Sequence, residues 1–217
     1  MLKGAIFDMD GLLFDTEKFY KISWVETAKK LNLPPYEQLA FEATGCGGKK
    51  NLLELINKFY PDFDAEVYLK VQEDSAFEMM RKNLTTMPGV EEILKFFKSK
   101  NVLMAVASSS LVKVVEDNLN RAGLRDFFSA TVGGDQIVDG KPSPEIFLLA
   151  AEKINLPPED CYVFEDSYNG IRGAKAAGCL PVMIPDTLQP TEEMRKLCGG
   201  IYPSLTHALQ AIQSGVI

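Results

Sequence analysis

The sequence predicts an α/β protein in which a parallel sheet is flanked by helices and an all-helical block is inserted near the start. Three observations carry that expectation. Short apolar runs alternate with helical patterns from residue 88 onward, the rhythm of parallel strands joined by crossover helices. Residues 16–84 show helical periodicity and no strand pattern. Polar residues able to do chemistry follow each of the first four predicted strands, where open parallel sheets place their ligands.

Taken in order, residues 4–8 form a buried strand, and Gly11 permits the turn after it. A helix starts at Asp15, carries Tyr20, Trp24, Ala28 and Leu31 at helical spacing, and is stopped by Pro34-Pro35. Further helices are expected at 37–43, 49–59 and 64–83, with Gly45-Cys46-Gly47-Gly48 and Pro61 as breaks. A helix runs from Pro88-Gly89 to Ser99, followed by a strand over 102–107. Leu111 to Ala122 is helical, 130–133 is a short strand, and Pro144 to Ile154 is helical again. A strand over 161–164, a helix ending near Gly178 and a strand from Pro181 to Ile184 come next. Short helices near 191–198 and 205–213 complete the pattern.

With 217 residues and 46% apolar content, the chain has material for a sizeable core. Its net charge of −7 argues against nonspecific nucleic-acid binding, which draws on Lys and Arg. No apolar run approaches membrane-spanning length. Asp8 interrupts the first apolar run and only Lys3 precedes it, so no signal peptide is expected. The cysteines Cys46, Cys161, Cys179 and Cys198 form no C-x-x-C pair and suit reduced thiols in a cytoplasmic protein. His207 is the only histidine and lies near the C-terminus, which disfavours zinc and histidine base chemistry. Proton transfer is left to carboxylates.

Asp8 and Asp10 start on one side of the chain where the first strand ends. Two such carboxylates repel by roughly 4 kcal/mol at about 4 Å and an effective dielectric near 20. The pair therefore implies a cation, a shared proton, or solvent. Ser108-Ser109-Ser110 follows the second strand, Lys141 the third, and Glu165-Asp166-Ser167 the fourth. Each piece has a plain structural reading. The serines could cap a helix before Leu111, Lys141 could be a surface lysine, and the acids could open a helix. As a group they set hard oxygen ligands for Mg²⁺ beside donors for a phosphate.

These residues resemble the haloacid dehalogenase-like phosphatase superfamily, nearest its β-phosphoglucomutase-like branch, over the whole chain. Asp8-Met9-Asp10-Gly11 through Asp15-Thr16 is similar to the first family motif and Ala107-Ser108-Ser109-Ser110 to the second. Gly140-Lys141-Pro142-Ser143-Pro144-Glu145-Ile146-Phe147 resembles the third, and Phe164-Glu165-Asp166-Ser167-Tyr168-Asn169-Gly170 the fourth. The resemblance implies a Rossmann-like core domain over 1–15 and 86–217 with an inserted all-helical cap domain over 16–85. It implies a Mg²⁺-dependent phosphatase in which Asp8 is the nucleophile and forms an aspartyl-phosphate. Asp10 would be the general acid and base, its carbonyl turned to Mg²⁺ with Asp8, Asp166 and Glu165. Ser108, Ser109 and Lys141 would hold phosphate oxygens. Thr16 would serve the hinge, and Tyr20, Gly45, Lys49 and Lys50 substrate choice, although the lysines also read as a solvated helix start.

The expected partner is a small phosphorylated metabolite, a sugar phosphate or nucleotide-derived monophosphate, acted on by a monomer. Where the branch's mutases carry a histidine and a cap arginine, this chain has Tyr20 and Gly48. Lysine does not replace a bidentate guanidinium, so hydrolysis is favoured over the mutase alternative. A dehalogenase would not need Asp10, and a phospho-acceptor signalling module would not need the helical insert. A non-catalytic binding domain would not need every catalytic position filled.

Overall fold

The computed structural model describes residues 1–43, Cys46 and 49–217, with Glu17 described by its backbone alone. The chain divides into two compact units, Met1–Asp15 with Thr85–Ile217, and Thr16–Leu84. The first unit is built on a six-stranded parallel sheet: β1 (Gly4–Phe7), β2 (Leu103–Ala107), β3 (Ala130–Val132), β4 (Cys161–Glu165), β5 (Leu180–Met183) and β6 (Gly200–Ile201). Their spatial order is β3-β2-β1-β4-β5-β6. The order reverses between β1 and β4, which opens a crevice at their carboxyl ends. Phe7 is in register with Val106 on one side and Phe164 on the other. Asp8 thereby emerges level with the ends of β2 and β4.

β1 and β2 are apolar throughout, and β4 is so up to Glu165 at its end, because both faces are covered. On one face Phe7 stacks on Phe164 at 4.8 Å and meets Phe97 of α5 (Val90–Ser99) edge-on at 6.2 Å. On the other, Ile6, Ala105 and Val163 pack with Ile146, Phe147 and Ala150 of α7 (Glu145–Lys153). The remaining helices of this unit are α6 (Val112–Arg121), α8 (Tyr168–Ala176), α9 (Glu192–Leu197) and α10 (Leu205–Gln213). The two passages between the units run side by side: the Asp15 amide donates to the Thr85 carbonyl at 3.0 Å and the Met87 amide to the Leu13 carbonyl at 3.0 Å.

The second unit holds α1 (Glu17–Lys30), α2 (Glu37–Ala43), α3 (Lys49–Phe59) and α4 (Ala65–Asn83). Trp24, Leu39, Ile56, Tyr60 and Tyr68 form its core. Tyr68 stacks on Trp24 and donates its hydroxyl to the Trp24 carbonyl at 2.7 Å, so the buried phenol is satisfied. Asp64 caps α4 by accepting from the Glu66 and Val67 amides.

One sequence expectation is corrected. Pro34-Pro35 does not stop α1, which ends at Lys30. Asn32 adopts φ 56° and the Leu33 amide returns to the Ala28 carbonyl at 2.8 Å, a left-handed stop that asparagine tolerates. The same device, with Asn101 and Asn155, ends α5 and α7. The strand β6 is an addition to the sequence pattern, because two residues carry no periodicity.

Candidate active site

Asp8 continues the sheet for one residue beyond β1, its amide donating to the Phe164 carbonyl at 3.0 Å. Its carboxylate is almost fully buried. The Lys141 ammonium lies 2.5 Å from Asp8 Oδ1 and 2.5 Å from Glu165 Oε1, and donates to the Ala107 carbonyl at 3.2 Å. One lysine thus ties the ends of β1, β2 and β4 together. Its side chain is only 7% exposed, so the ion pairs are shielded from water and screening is weak.

The loop that delivers Lys141 is itself held. Glu145, at the start of α7, accepts from the Val138 amide and, at 2.8 Å, from the Asp139 amide. Glu165 is fully buried, and its second oxygen accepts from the Ser167 amide at 3.0 Å and hydroxyl at 2.9 Å. Ser167 in turn caps α8 by accepting from the Gly170 amide at 3.0 Å. Gly170 is required here: a Cβ would stand 1.9 Å from the Glu165 carboxyl carbon.

Gly11, at φ 77°, turns the chain after Asp10. Asp10 Oδ2 accepts from the Ser110 hydroxyl at 2.9 Å and, at 3.4 Å, from the Ser108 hydroxyl. Ser108 does not cap the following helix, as its plain structural reading had it. The Val112 amide at the start of α6 instead donates to Asp135 Oδ1 at 2.7 Å. Ser108 Oγ accepts from the Ser110 amide at 3.1 Å, which coils the loop on itself.

Charge on these groups follows from their surroundings. Burial is the main force pushing the Asp8 carboxyl up to about 8; Lys141 opposes it, while Glu165 and Asp10 add to it. Burial disfavours charge on Lys141, but Asp8 and Glu165 outweigh it and hold the ammonium above lysine's ordinary range. Lys141 stays protonated and Asp8 is short of positive charge.

The structure brings Asp8, Asp10, Ser108, Lys141 and Glu165 to one rim, joined by the bonds above, with half-buried Asp166 next in the chain. Ser109 is exposed. Thr16, Tyr20, Lys49 and Lys50 belong to the helical unit, and Gly45 lies outside the described residues. Thr16 is buried ahead of α1, and Tyr20 packs against Phe19, Ala76 and Met80. Lys49 pairs with Glu66 at 2.6 Å, and the Lys50 side chain is 87% exposed. The sequence offers Ser110 only the shared reading of the serine run as a helix cap or phosphate donors, and offers Asp135, Glu145 and Gly170 no role. The run of three serines and the Asn169-Gly170 pair were the available signals.

The model of the haloacid dehalogenase-like hydrolase family matches residues 2–178. The chain belongs to that family. This haloacid dehalogenase-like hydrolase is 36% identical over 177 residues to a phosphorylated carbohydrates phosphatase of Thermotoga maritima, covering 82% of each chain. It is 28% identical over 190 residues to a β-phosphoglucomutase of Bacillus subtilis, covering 83% of this chain and 82% of the relative. A Thermotoga maritima structure assigned as a β-phosphoglucomutase superposes with a TM-score of 0.83 at 30% identity, covering 98% and 99% of the two chains. The hydrolase is a phosphatase.

The donor set of this hydrolase fits Mg²⁺. Burial and the neighbouring Glu165 and Asp10 carboxylates disfavour charge on Asp8, which a cation at this rim would offset. The Asp8 and Asp166 carboxylates and the Asp10 carbonyl could hold the ion, since Mg²⁺ takes one or two carboxylates and keeps several waters. Among the described residues no three His, Cys, Asp or Glu side chains group so as to hold a metal ion, so the carbonyl and water would have to complete the shell. Glu165 is committed to Lys141 and Ser167.

Proposed function

We propose that this phosphatase hydrolyses a small phosphate monoester, a sugar phosphate or a nucleotide-derived monophosphate, through a phosphate ester on Asp8. The observation that carries the reading is the buried Asp8 carboxylate, 2.5 Å from the Lys141 ammonium, with Asp10 two residues on. Asp8 attacks phosphorus and the bond to the ester oxygen breaks, which divides one hard hydrolysis into two displacements. Asp10 gives its proton to the leaving alcohol, then takes one from the water that attacks the aspartyl-phosphate. Ser108, the Ser109 backbone and Lys141 hold the phosphoryl oxygens as charge redistributes. Asp8, Asp166 and the Asp10 carbonyl would hold Mg²⁺, which would supply the positive charge that lets an anionic nucleophile meet an anionic ester.

The helical unit is inferred to be the cap that selects the alcohol, through Thr16, Tyr20, Lys49, Lys50 and the segment containing Gly45. The protein is read as a cytoplasmic monomer. Its cysteines at 46, 161, 179 and 198 are free, and among the described residues no helix is long and apolar enough to cross a membrane.

Asp8→Asn should abolish release of inorganic phosphate from every ester tested, and retained turnover refutes the nucleophile. A second reading, a phosphosugar mutase, is favoured by the β-phosphoglucomutase relative. Tyr20 and Gly48, where mutases of the branch carry histidine and arginine, favour hydrolysis. β-Glucose 1-phosphate with a bisphosphate primer should therefore yield inorganic phosphate, and efficient glucose 6-phosphate formation overturns that choice.

A further inference from the structure

Ser110 stands apart from the phosphate-holding groups because its hydroxyl is spent on Asp10. The bond to Asp10 Oδ2 is 2.9 Å, shorter than the 3.4 Å from Ser108 to the same oxygen. Its backbone is fixed at both ends. The Ser110 amide donates to Ser108 Oγ at 3.1 Å, and its carbonyl accepts from the Gly134 amide at 2.9 Å. Gly134 allows that approach, since a Cβ there would stand 2.3 Å from the Ser109 carbonyl oxygen. Asp135, the next residue, holds the Val112 amide. A second loop therefore braces the serine loop from behind, and the braced hydroxyl aims at one oxygen of Asp10.

We propose that Ser110 is a positioning residue for proton transfer by Asp10; this rests on reading Asp10 as the general acid and base. The Ser110 hydroxyl holds Oδ2 while Ser108 turns to the phosphate, so that oxygen keeps the acceptor's role whether the carboxyl is protonated or not. The transferable proton is thereby assigned to Oδ1. As Asp8 bonds to phosphorus and the phosphorus–oxygen ester bond breaks, the Oδ1 proton passes to the leaving oxygen. The products are a free alcohol, the aspartyl-phosphate and an Asp10 carboxylate still held by Ser110. A carboxyl free to rotate would present either oxygen, and misplacement of a donor by about 1 Å is costly.

Leaving-group dependence separates this role from phosphate binding and from simple stability. With Mg²⁺ present, kcat/KM is measured for p-nitrophenyl phosphate, phenyl phosphate and a panel of hexose phosphates. The nitrophenolate leaves without a proton, whereas a sugar alkoxide needs one. Ser110→Ala should lower kcat/KM for the hexose phosphates about tenfold and leave p-nitrophenyl phosphate within about twofold. Ser110→Thr, which keeps the hydroxyl, should restore the hexose phosphates. Equal losses on all esters, or no loss on any, would overturn the proposal. Asp10→Asn run on the same panel tests the underlying reading separately. If it does not discriminate by leaving group, Asp10 is not the acid; if it discriminates and Ser110→Ala does not, Ser110 does not position it.

Discussion

Alanine at position 170 ought to help a helix, by about 1 kcal/mol over glycine, yet here it should damage both stability and catalysis. The added Cβ would lie 1.9 Å from Cδ and Oε1 of Glu165 and 2.3 Å from Oε2. Ordinary non-bonded contact is roughly 3.5 Å, so the carboxylate must retreat by about 1.5 Å. Most glutamate head groups would swing aside at little cost. This one is fully buried and tied to Ser167 by two bonds and to Lys141 by a third. Separating a buried ion pair costs about 3–5 kcal/mol. After the helix gain, a net loss of about 2–4 kcal/mol is expected. Lys141 would also lose one of the two carboxylates that place it on Asp8, lowering kcat by roughly a hundredfold. Gly173→Ala is the milder comparison: it has the same helix gain, and its Cβ would press on the Ser143 carbonyl at 3.0 Å and on Phe147 and the Pro142 carbonyl at 3.2 Å, so it should lose less than Gly170→Ala. Urea unfolding followed by far-ultraviolet circular dichroism gives the stability, and p-nitrophenyl phosphate turnover the rate. A Gly170→Ala protein as stable and active as the parent would refute the claim that Glu165 is pinned.

Lys141→Met leaves Asp8 and Glu165 buried without their shared cation; phosphate release should fall at least about a thousandfold, and stability by about 3 kcal/mol by urea unfolding. EDTA should stop turnover and added Mg²⁺ restore it; activity indifferent to both refutes the metal reading. Glu116 accepts from Thr131 and Arg125. Burial works against its charge, but these two partners outweigh it and hold the carboxyl below its ordinary 4.5. Its contribution is therefore complete above pH 4.5 and lost as the pH falls through the lowered value. Glu116→Gln should cost up to about 1 kcal/mol at pH 7, given its partial exposure, and less at pH 3; an equal cost at both would show that charge plays no part.

The sheet was legible because its strands are continuous apolar runs between helical patterns, as in Val102 to Ala107. Strand ends then pointed to Asp8, Ser108, Lys141 and Glu165 without knowledge of the strand order. What stayed hidden depends on contacts distant in the chain. Nothing local says that Asp135 caps the helix starting at Val112, 23 residues earlier, and so frees the serines for Asp10. The need for glycine at 170 is set by the Glu165 carboxylate folded against it, which no local pattern shows. Pro34-Pro35 drew attention from Asn32 because proline is the louder breaker, though asparagine in a left-handed turn ends the helix first.

The paired passages at Asp15 and Thr85 have a consequence for folding and for change over evolution. Bringing together the ends of a flexible loop as long as residues 16–84 costs about 4 kcal/mol of chain entropy. The bonds from Asp15 to Thr85 and from Met87 to Leu13 fasten those ends to the sheet unit itself. From the sheet's standpoint the insertion is one closed loop, whatever it contains. Its length and sequence are thus free to vary while the two strapped segments, and Asp8 and Asp10 just upstream, keep their places. A different module spliced between Asp15 and Thr85 would leave the two strapped segments in the same register.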